Sequence, residues 1–163
     1  SNRTPNVKSW DKVIMPLAAG IVPLLGWILA GLNERWGWRP IVSQEVQLVG
    51  FLLTLLGHGL IVWAMGANAF FSTVARIQEE RDHQVADGGP YRFIRHPGYL
   101  GAILFSLGVP ILLESWWALI PGFVSVILYI VRTALEDKTL IRELAGYDTY
   151  TGQTRFRLFP GVW

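Results

Sequence analysis

Long uncharged runs alternate with short charged stretches along this chain. Residues 13–32 form a run of twenty without a charged side chain, and residues 46–71 form a second run of twenty-six. A third apolar region, residues 97–131, carries a single charge, Glu114, near its middle. A helix needs about 20 apolar residues to cross the hydrocarbon core of a bilayer, so each run is long enough to span a membrane.

The third region is too long for one span, and its single charge divides it. Ser115 and Trp116 follow Glu114 directly, and tryptophan favours the interface between membrane and water. We therefore predict two short helices, residues 97–113 and 116–131, joined by a tight turn. Each would be about 25 Å long, which is just sufficient to span.

The composition agrees with a membrane protein. Hydrophobic residues make up 52% of the 163 residues, charged residues make up only 16%, and a soluble domain would carry more charge. We predict an all-α integral membrane fold of one domain, residues 1–163, with about four transmembrane helices and a cytosolic C-terminal helix and tail. Pro16 and Pro23 are expected to kink the first span, and the last helix is expected to run on to a C-cap at Gly146.

Lysine and arginine are distributed unevenly between the predicted loops. The N-terminal segment holds three, the 72–96 loop four and the segment from Arg132 onward five, against two after the first span and none beside Glu114. Twelve against two predicts a multi-pass protein with both termini and the 72–96 loop in the cytosol. The alternation of basic and apolar residues over 155–159 is typical of packing at a membrane surface.

Residues 88–101 lie where the chain passes from a polar loop into the third apolar region. Two glycines and a proline begin this stretch, and Arg95, His96 and Pro97 follow. Proline is favourable at the first position of a helix, where its missing N–H costs nothing. Arg95 and His96 are therefore expected at a helix N-terminus, where free backbone N–H groups and the helix dipole favour an anionic ligand group.

Two further features carry potential chemistry. Arg132 and Glu136 are four residues apart and share one face of a helix. They are compatible with a surface ion pair, or with a site where Glu136 meets a cationic group and Arg132 an anionic one. His58 lies mid-span, where a polar residue is a candidate for a functional site, but we expect a neutral imidazole hydrogen-bonded to a neighbouring helix. His58, His83 and His96 lack metal-ligand spacing, so no metal is expected, and a net charge of +2 does not indicate nucleic-acid binding.

Three separate pieces of sequence together resemble the isoprenylcysteine carboxyl methyltransferase family. They are Gly89-Pro90-Tyr91-Arg92 with Arg95-His96-Pro97, Tyr99 and Gly101; then Arg132 with Glu136-Asp137; then Gly146-Tyr147 with Tyr150, Arg157 and Pro160. The pieces follow the family's order and cover residues 72–163, the catalytic half that the resemblance implies. That family consists of integral membrane enzymes that use S-adenosylmethionine, with phospholipid methyltransferases as relatives.

The resemblance also implies roles for particular residues. It implies that the cofactor pocket includes Tyr91, His96, Pro97 and Tyr99. Glu136 is implied as the carboxylate that contacts S-adenosylmethionine, and Arg132 as the residue beside the methyl acceptor. The family usually has a His-x-Leu-Val segment before Gly-Pro-Tyr, and His83 with Val85 matches it only in part.

The expected reaction transfers a methyl group to a lipophilic acceptor from the bilayer and leaves S-adenosylhomocysteine. A carboxylate of an isoprenylcysteine-like or other small lipid-like molecule is the main expectation. Three alternatives stay open: an amine or phospholipid acceptor, a membrane sterol or enone reductase that uses NADPH, and a non-catalytic protein that binds lipid.

Overall fold

The computed structural model describes residues 7–38 and 42–163, which contain helices and no strand. We number the helices α1 (Asp11–Arg35), α2 (Gln44–Ala67), α3 (Pro97–Leu112), α4 (Trp116–Glu143) and α5 (Tyr147–Gln153). The loop between α2 and α3 contains only two short 3₁₀ turns, Glu79–Arg81 and Gly89–Arg92. The predicted all-helical fold is confirmed over the described residues.

Three helices, α1, α2 and α4, are long and apolar enough to cross a membrane, and α3 is a shorter apolar helix. Their outer faces expose large apolar side chains such as Trp27, Leu56 and Ile127. Water disfavours such faces and lipid accommodates them, so the chain is an integral membrane protein. Arg3 and Arg39, which count in the charge asymmetry, lie outside the described residues.

Glycines allow α2 and α3 to pack antiparallel with their backbones in close contact. A Cβ added at Gly57 would lie 2.6 Å from the carbonyl oxygen of Gly101, and one at Gly101 would lie 2.6 Å from that of Gly57. Gly108 is equally tight against the backbone of Thr54. Small residues permit this approach between membrane helices, where close packing drives association. Next along the layer, α4 packs on α3, and α1 packs on α4.

The turn between α3 and α4 is as short as predicted. Glu114 adopts a left-handed conformation with φ of 55°, and the Ser115 hydroxyl accepts a hydrogen bond from the Ala118 N–H at 3.3 Å. This cap satisfies one of the backbone donors that a helix start leaves free. In α1, a π-helical stretch, Leu17–Ile21, separates Pro16 from Pro23. Both prolines lack an N–H, which interrupts the regular α-helical pattern there.

Two local expectations were wrong. Gly146 has a φ of 81° but lies three residues beyond Glu143, and it precedes α5 instead of capping α4. His58 does not bond to a neighbouring helix. Its side chain is exposed on α2 beside the ring of Phe105, 6.3 Å away, without a hydrogen bond to any residue that the structure describes.

Candidate functional site

An open cleft lies between the 68–91 loop, the start of α3 and the C-terminal third of α4. Six of the eight residues singled out from the sequence line it: His83, Val85, Tyr91, His96, Tyr99 and Glu136. These residues are spread over 54 positions of the chain. The fold therefore gathers most of the expected site into one place.

The other two residues lie behind the cleft wall. Pro97 begins α3 as predicted and is fully buried, without lining the cleft. Arg132 is only 2% exposed, and its guanidinium carbon lies 5.0 Å from the centre of the Tyr99 ring. Tyr99 thus separates Arg132 from the cleft.

Tyr99 and Glu136 form the polar centre of the cleft. The Tyr99 hydroxyl donates a hydrogen bond to Glu136 Oε2 at 2.5 Å, and the Tyr99 ring stacks on that of His96 with centroids 5.7 Å apart. Glu136 is half-buried, and no described residue donates a hydrogen bond to its Oε1. One carboxylate oxygen therefore stays available to a cationic group in the cleft.

Asp137 is a fully buried carboxylate that ties together the three motif pieces. Its Oδ1 lies 3.1 Å from Arg95 Nη1 and 3.3 Å from His96 Nε2, and it accepts a hydrogen bond from the Tyr147 hydroxyl at 3.0 Å. Its Oδ2 accepts one from Arg157 Nε at 2.7 Å. Burial and the Asp137 charge raise the pKa of Tyr147 well above its usual range. Arg95 and His96 are thus paired with a carboxylate of the chain itself, where the sequence had indicated an anionic ligand group.

The C-terminal tail closes over the same motif. The N–H groups of Arg95 and His96 donate to the carbonyls of Phe156 and Arg157, at 2.9 and 3.0 Å. Backbone groups that would otherwise be buried without partners are satisfied in this way. The tail therefore completes the fold around the cleft. The alternation of basic and apolar residues in the tail does not predict this role.

Two tyrosines hold the cleft's outer wall. The Tyr150 hydroxyl donates to the Tyr91 carbonyl at 2.6 Å, and burial raises the pKa of Tyr150 to about 12. The Tyr91 hydroxyl accepts from Asn68 Nδ2 at 3.3 Å, and burial raises the pKa of Tyr91 as well. Both phenols are therefore neutral at physiological pH and act as hydrogen-bonding groups.

His83 organises the loop that forms the opposite wall. Its ring stacks on Phe70 with centroids 4.7 Å apart, and its Nδ1 accepts the Gln78 N–H at 3.3 Å. Burial, together with the positive charges of Arg76 and Arg81, lowers the pKa of His83. The neutral imidazole is the form that accepts this bond.

Arg132 is paired with a residue that the sequence reasoning missed. Its Nε lies 2.8 Å from Asp11 Oδ1 and its Nη2 donates to Asp11 Oδ2 at 3.0 Å, with a further bond to the Thr73 carbonyl at 2.8 Å. Asp11 is fully buried. The alternative of a surface ion pair between Arg132 and Glu136 is therefore wrong. A lone aspartate before the first span offered no signal, because its partner lies 121 residues away.

The comparison with known sequences identifies the family. The sequence profile described as phospholipid methyltransferase matches residues 46–145, more than half of the chain. The chain belongs to the phospholipid methyltransferase family. The expectation of a membrane methyltransferase family, drawn from the three motif pieces, is thereby confirmed.

Curated relatives add detail to this membership. The chain is 33% identical over 104 residues to the protein-S-isoprenylcysteine O-methyltransferase of Saccharomyces cerevisiae, covering 62% of this chain and 43% of that protein. It is also 33% identical over 69 residues to a probable protein-S-isoprenylcysteine O-methyltransferase of Oryza sativa subsp. indica, covering 42% of this chain and 36% of that protein. The chain thus matches less than half the length of these relatives.

The match to the phospholipid methyltransferase family includes the Tyr99–Glu136 pair, Arg132 and Asp137. Asp11 and the C-terminal tail lie outside it. Two contacts that shape this site, those of Asp11 and Arg157, therefore come from parts of the chain that the family profile does not cover.

A second, largely apolar cavity of about 290 Å³ lies among α1, α3 and α4. Small and apolar residues line most of it, including Ala18, Gly26, Ala102 and Gly122. At one end it is lined by Tyr129, whose ring centre is 5.9 Å from that of Tyr99. The Tyr99–Tyr129 ring pair therefore lies between the polar cleft and the apolar cavity.

Proposed function

We propose that the protein is a membrane methyltransferase that uses S-adenosylmethionine and methylates a carboxylate of an isoprenylcysteine-like or other small lipid-like acceptor. The observation that carries the proposal is the position of the Tyr99–Glu136 pair. It faces a polar cleft on one side, and the Tyr99 ring contacts the wall of an apolar, membrane-embedded cavity on the other. Family membership supports methyl transfer, and the curated relatives named protein-S-isoprenylcysteine O-methyltransferase support an acceptor that is methylated on oxygen.

The residues of the cleft fit the proposed cofactor. S-adenosylmethionine carries a sulfonium and an amino group, both cationic, and the available oxygen of Glu136 suits a positive charge. Aromatic side chains around the cleft, Phe71, Tyr91 and Tyr147 among them, offer surfaces to a planar base. The bound cofactor would supply an activated methyl group with a good leaving group. The chain's own task is then to bind, orient and exclude water.

The cavity fits the apolar part of the acceptor. Its lining is largely apolar, with hydroxyl groups at Ser106, Ser125 and Tyr129, and it lies among the apolar helices. An acceptor whose apolar chain lies there would bring its polar end to the Tyr99–Tyr129 pair. A carboxylate is ionised at neutral pH and needs no general base. Arg132, whose guanidinium bonds Asp11 and the Thr73 carbonyl behind Tyr99, would orient the acceptor by fixing the position of the Tyr99 ring.

An amine acceptor is a second candidate, and one observation favours it. Asp11 already neutralises Arg132, and Glu136 adds a negative charge on the same side of α4. The three side chains together carry one net negative charge, which attracts a cationic headgroup more than an anionic one. The ammonium would have to give a proton to the free oxygen of Glu136 before its nitrogen could accept the methyl group.

We further propose that four spans place both termini and the cleft on the cytosolic side, on the basis of the charge asymmetry. The chain has no cysteine, so single cysteines at the exposed positions 87 and 149 report their side of the membrane without background. The proposal expects both to react only from the cytosolic side. Labelling of either one from the outside alone would reverse the orientation.

Methyl transfer itself is tested with purified protein in lipid nanodiscs and S-adenosylmethionine labelled on its methyl group. The acceptors are matched pairs with the same apolar chain and either a carboxylate or an amine at the end. The main proposal expects label in the carboxylate series as a base-labile methyl ester. Label in the amine series alone would replace it with the second candidate, and label in neither would reject both acceptor classes.

A further inference from the structure

The proposed reaction does not explain why the buried Arg132 pairs with Asp11. Arg132 and Glu136 are four residues apart on α4, a spacing at which arginine and glutamate ordinarily pair. In this fold they do not. Arg132 turns to Asp11, and Glu136 bonds to Tyr99 instead.

Asp11 is itself held firmly in place. Its Oδ2 accepts the Ala75 N–H at 2.6 Å, and the Ala75 carbonyl accepts the Lys8 N–H at 3.1 Å. The Lys8 ammonium pairs with Glu143 at the end of α4, at 2.6 Å. The two hydrogen bonds at Ala75 fix the start of α1 to the cleft wall, with the Asp11 carboxylate directed at Arg132, whereas the partly exposed Lys8–Glu143 pair adds little.

We propose that Asp11 is a positioning residue that keeps Arg132 from capturing Glu136. A buried guanidinium needs a carboxylate partner, and breaking such a pair from one side leaves an uncompensated charge. Without the Asp11 charge, the nearest carboxylate on the same helix is that of Glu136. Arg132 would then draw Glu136 away from Tyr99 and from the cleft. The effect on the cofactor rests on the proposed function, whereas the effect on the Tyr99–Glu136 pair does not.

The inference predicts that removing Arg132 rescues the loss of Asp11. Asp11→Asn keeps the side chain's shape and removes its charge, so we expect the affinity for S-adenosylhomocysteine to fall by about tenfold, the size expected for loss of a hydrogen bond to a charged group. The double variant, Asp11→Asn with Arg132→Gln, has no guanidinium that could capture Glu136. Its affinity for S-adenosylhomocysteine should return to within about twofold of the original, because a buried ion pair can often be replaced when both partners are changed. Lys8→Met, which removes only the contact to Glu143, is the matched control and should bind normally.

A second readout needs no cofactor. In protein labelled with ¹³Cζ-tyrosine, the resonance of Tyr99 reports its hydrogen bond to Glu136. The resonance is assigned by its loss in Tyr99→Phe. We expect Asp11→Asn to shift this resonance, the double variant to restore it, and Lys8→Met to leave it unchanged.

The two readouts separate the possible failures. If the original protein binds no S-adenosylhomocysteine but the resonance follows the expected pattern, the positioning role stands and the proposed function falls. An unshifted Tyr99 resonance in Asp11→Asn, or a double variant no better than the single one, would overturn the positioning role. If Asp11→Asn fails to fold, the double variant still decides, because the inference requires it to fold and to keep the original resonance.

Discussion

Two buried carboxylates, Asp11 and Asp137, each neutralise arginine, but they organise different parts of the molecule. Asp137 lies inside the region matched by the family and contacts four side chains from the motif, α5 and the tail. Asp11 lies outside that region and contacts one arginine and one backbone N–H. Asp137 therefore joins separate parts of the site, whereas Asp11 pairs with a single side chain.

The largest expected effect distinguishes these two roles through stability. Asp137→Asn leaves the side chains of Arg95 and Arg157 without their carboxylate, and we expect the free energy of unfolding to fall by about 3–5 kcal/mol, the range for breaking a buried pair from one side. Unfolding in mixed detergent with increasing denaturing detergent measures this. Asp148→Asn, at an exposed position on α5, is the control and should stay within about 0.5 kcal/mol of the original. A loss no larger than that of the control would remove Asp137 from its central role.

The next effect concerns the cleft. Glu136→Gln removes the charge that faces the proposed cofactor, so we expect binding of S-adenosylhomocysteine to weaken by about 1.5–3 kcal/mol, as for hydrogen bonds to charged groups. Glu80→Gln, on the exposed side of the loop, should bind as the original does. Unchanged affinity in Glu136→Gln would show that this carboxylate does not contact the cofactor.

Arg132→Lys tests the role of the arginine that pairs with Asp11. Lysine keeps a positive charge for Asp11, so Glu136 stays with Tyr99 and binding of S-adenosylhomocysteine should be nearly unchanged. Lysine lacks the planar fork of arginine, so we expect methyl transfer to fall by about tenfold or more through loss of acceptor alignment. Full activity on the preferred acceptor would mean that Arg132 does not orient it.

The smallest effect is a local dependence on pH at His83. The folded loop lowers the pKa of His83, so the native state binds fewer protons than the unfolded state. Stability of the loop therefore rises with pH and is lost as the pH falls from about 6.5 through the lowered pKa of the folded state. Hydrogen exchange over residues 70–86 should be faster at pH 5.5 than at pH 7.5, after correction for the intrinsic rate. His83→Phe keeps the stack on Phe70 and should abolish this difference; a difference that persists would assign it to another group.

Local pattern predicted much of the fold. Uncharged runs located the apolar helices, Pro97 marked the start of α3, and Glu114 marked the hairpin turn, because each signal acts within a few residues. The prediction that Gly146 caps α4 was wrong, because a glycine with positive φ can precede a helix as well as follow one. The expected bond of His58 failed because sequence position gives depth in the membrane but not the direction in which a side chain faces.

The motif resemblance predicted which residues line the cleft. The sequence did not predict the ion pairs between residues that are far apart in the chain. His83, Val85, Tyr91, His96, Tyr99 and Glu136 line one space, as their grouping in the family implies. Asp11 was missed because its role depends on α1 packing against α4, and the sequence gives no register for that contact. Arg157 was noted as part of a motif, but its bond to Asp137 depends on the tail folding back over the start of α3.

The central claim is that the cleft beside Tyr99 and Glu136 binds S-adenosylmethionine, and calorimetry of the purified protein tests it most directly. Titrations with S-adenosylhomocysteine and with NADPH are made on the same nanodisc preparation. The account predicts saturable binding of S-adenosylhomocysteine at one site, weakened in Glu136→Gln by about 1.5–3 kcal/mol, and no binding of NADPH. Binding of NADPH without S-adenosylhomocysteine would favour a reductase, and binding of neither would contradict the assignment of the cleft as a cofactor site.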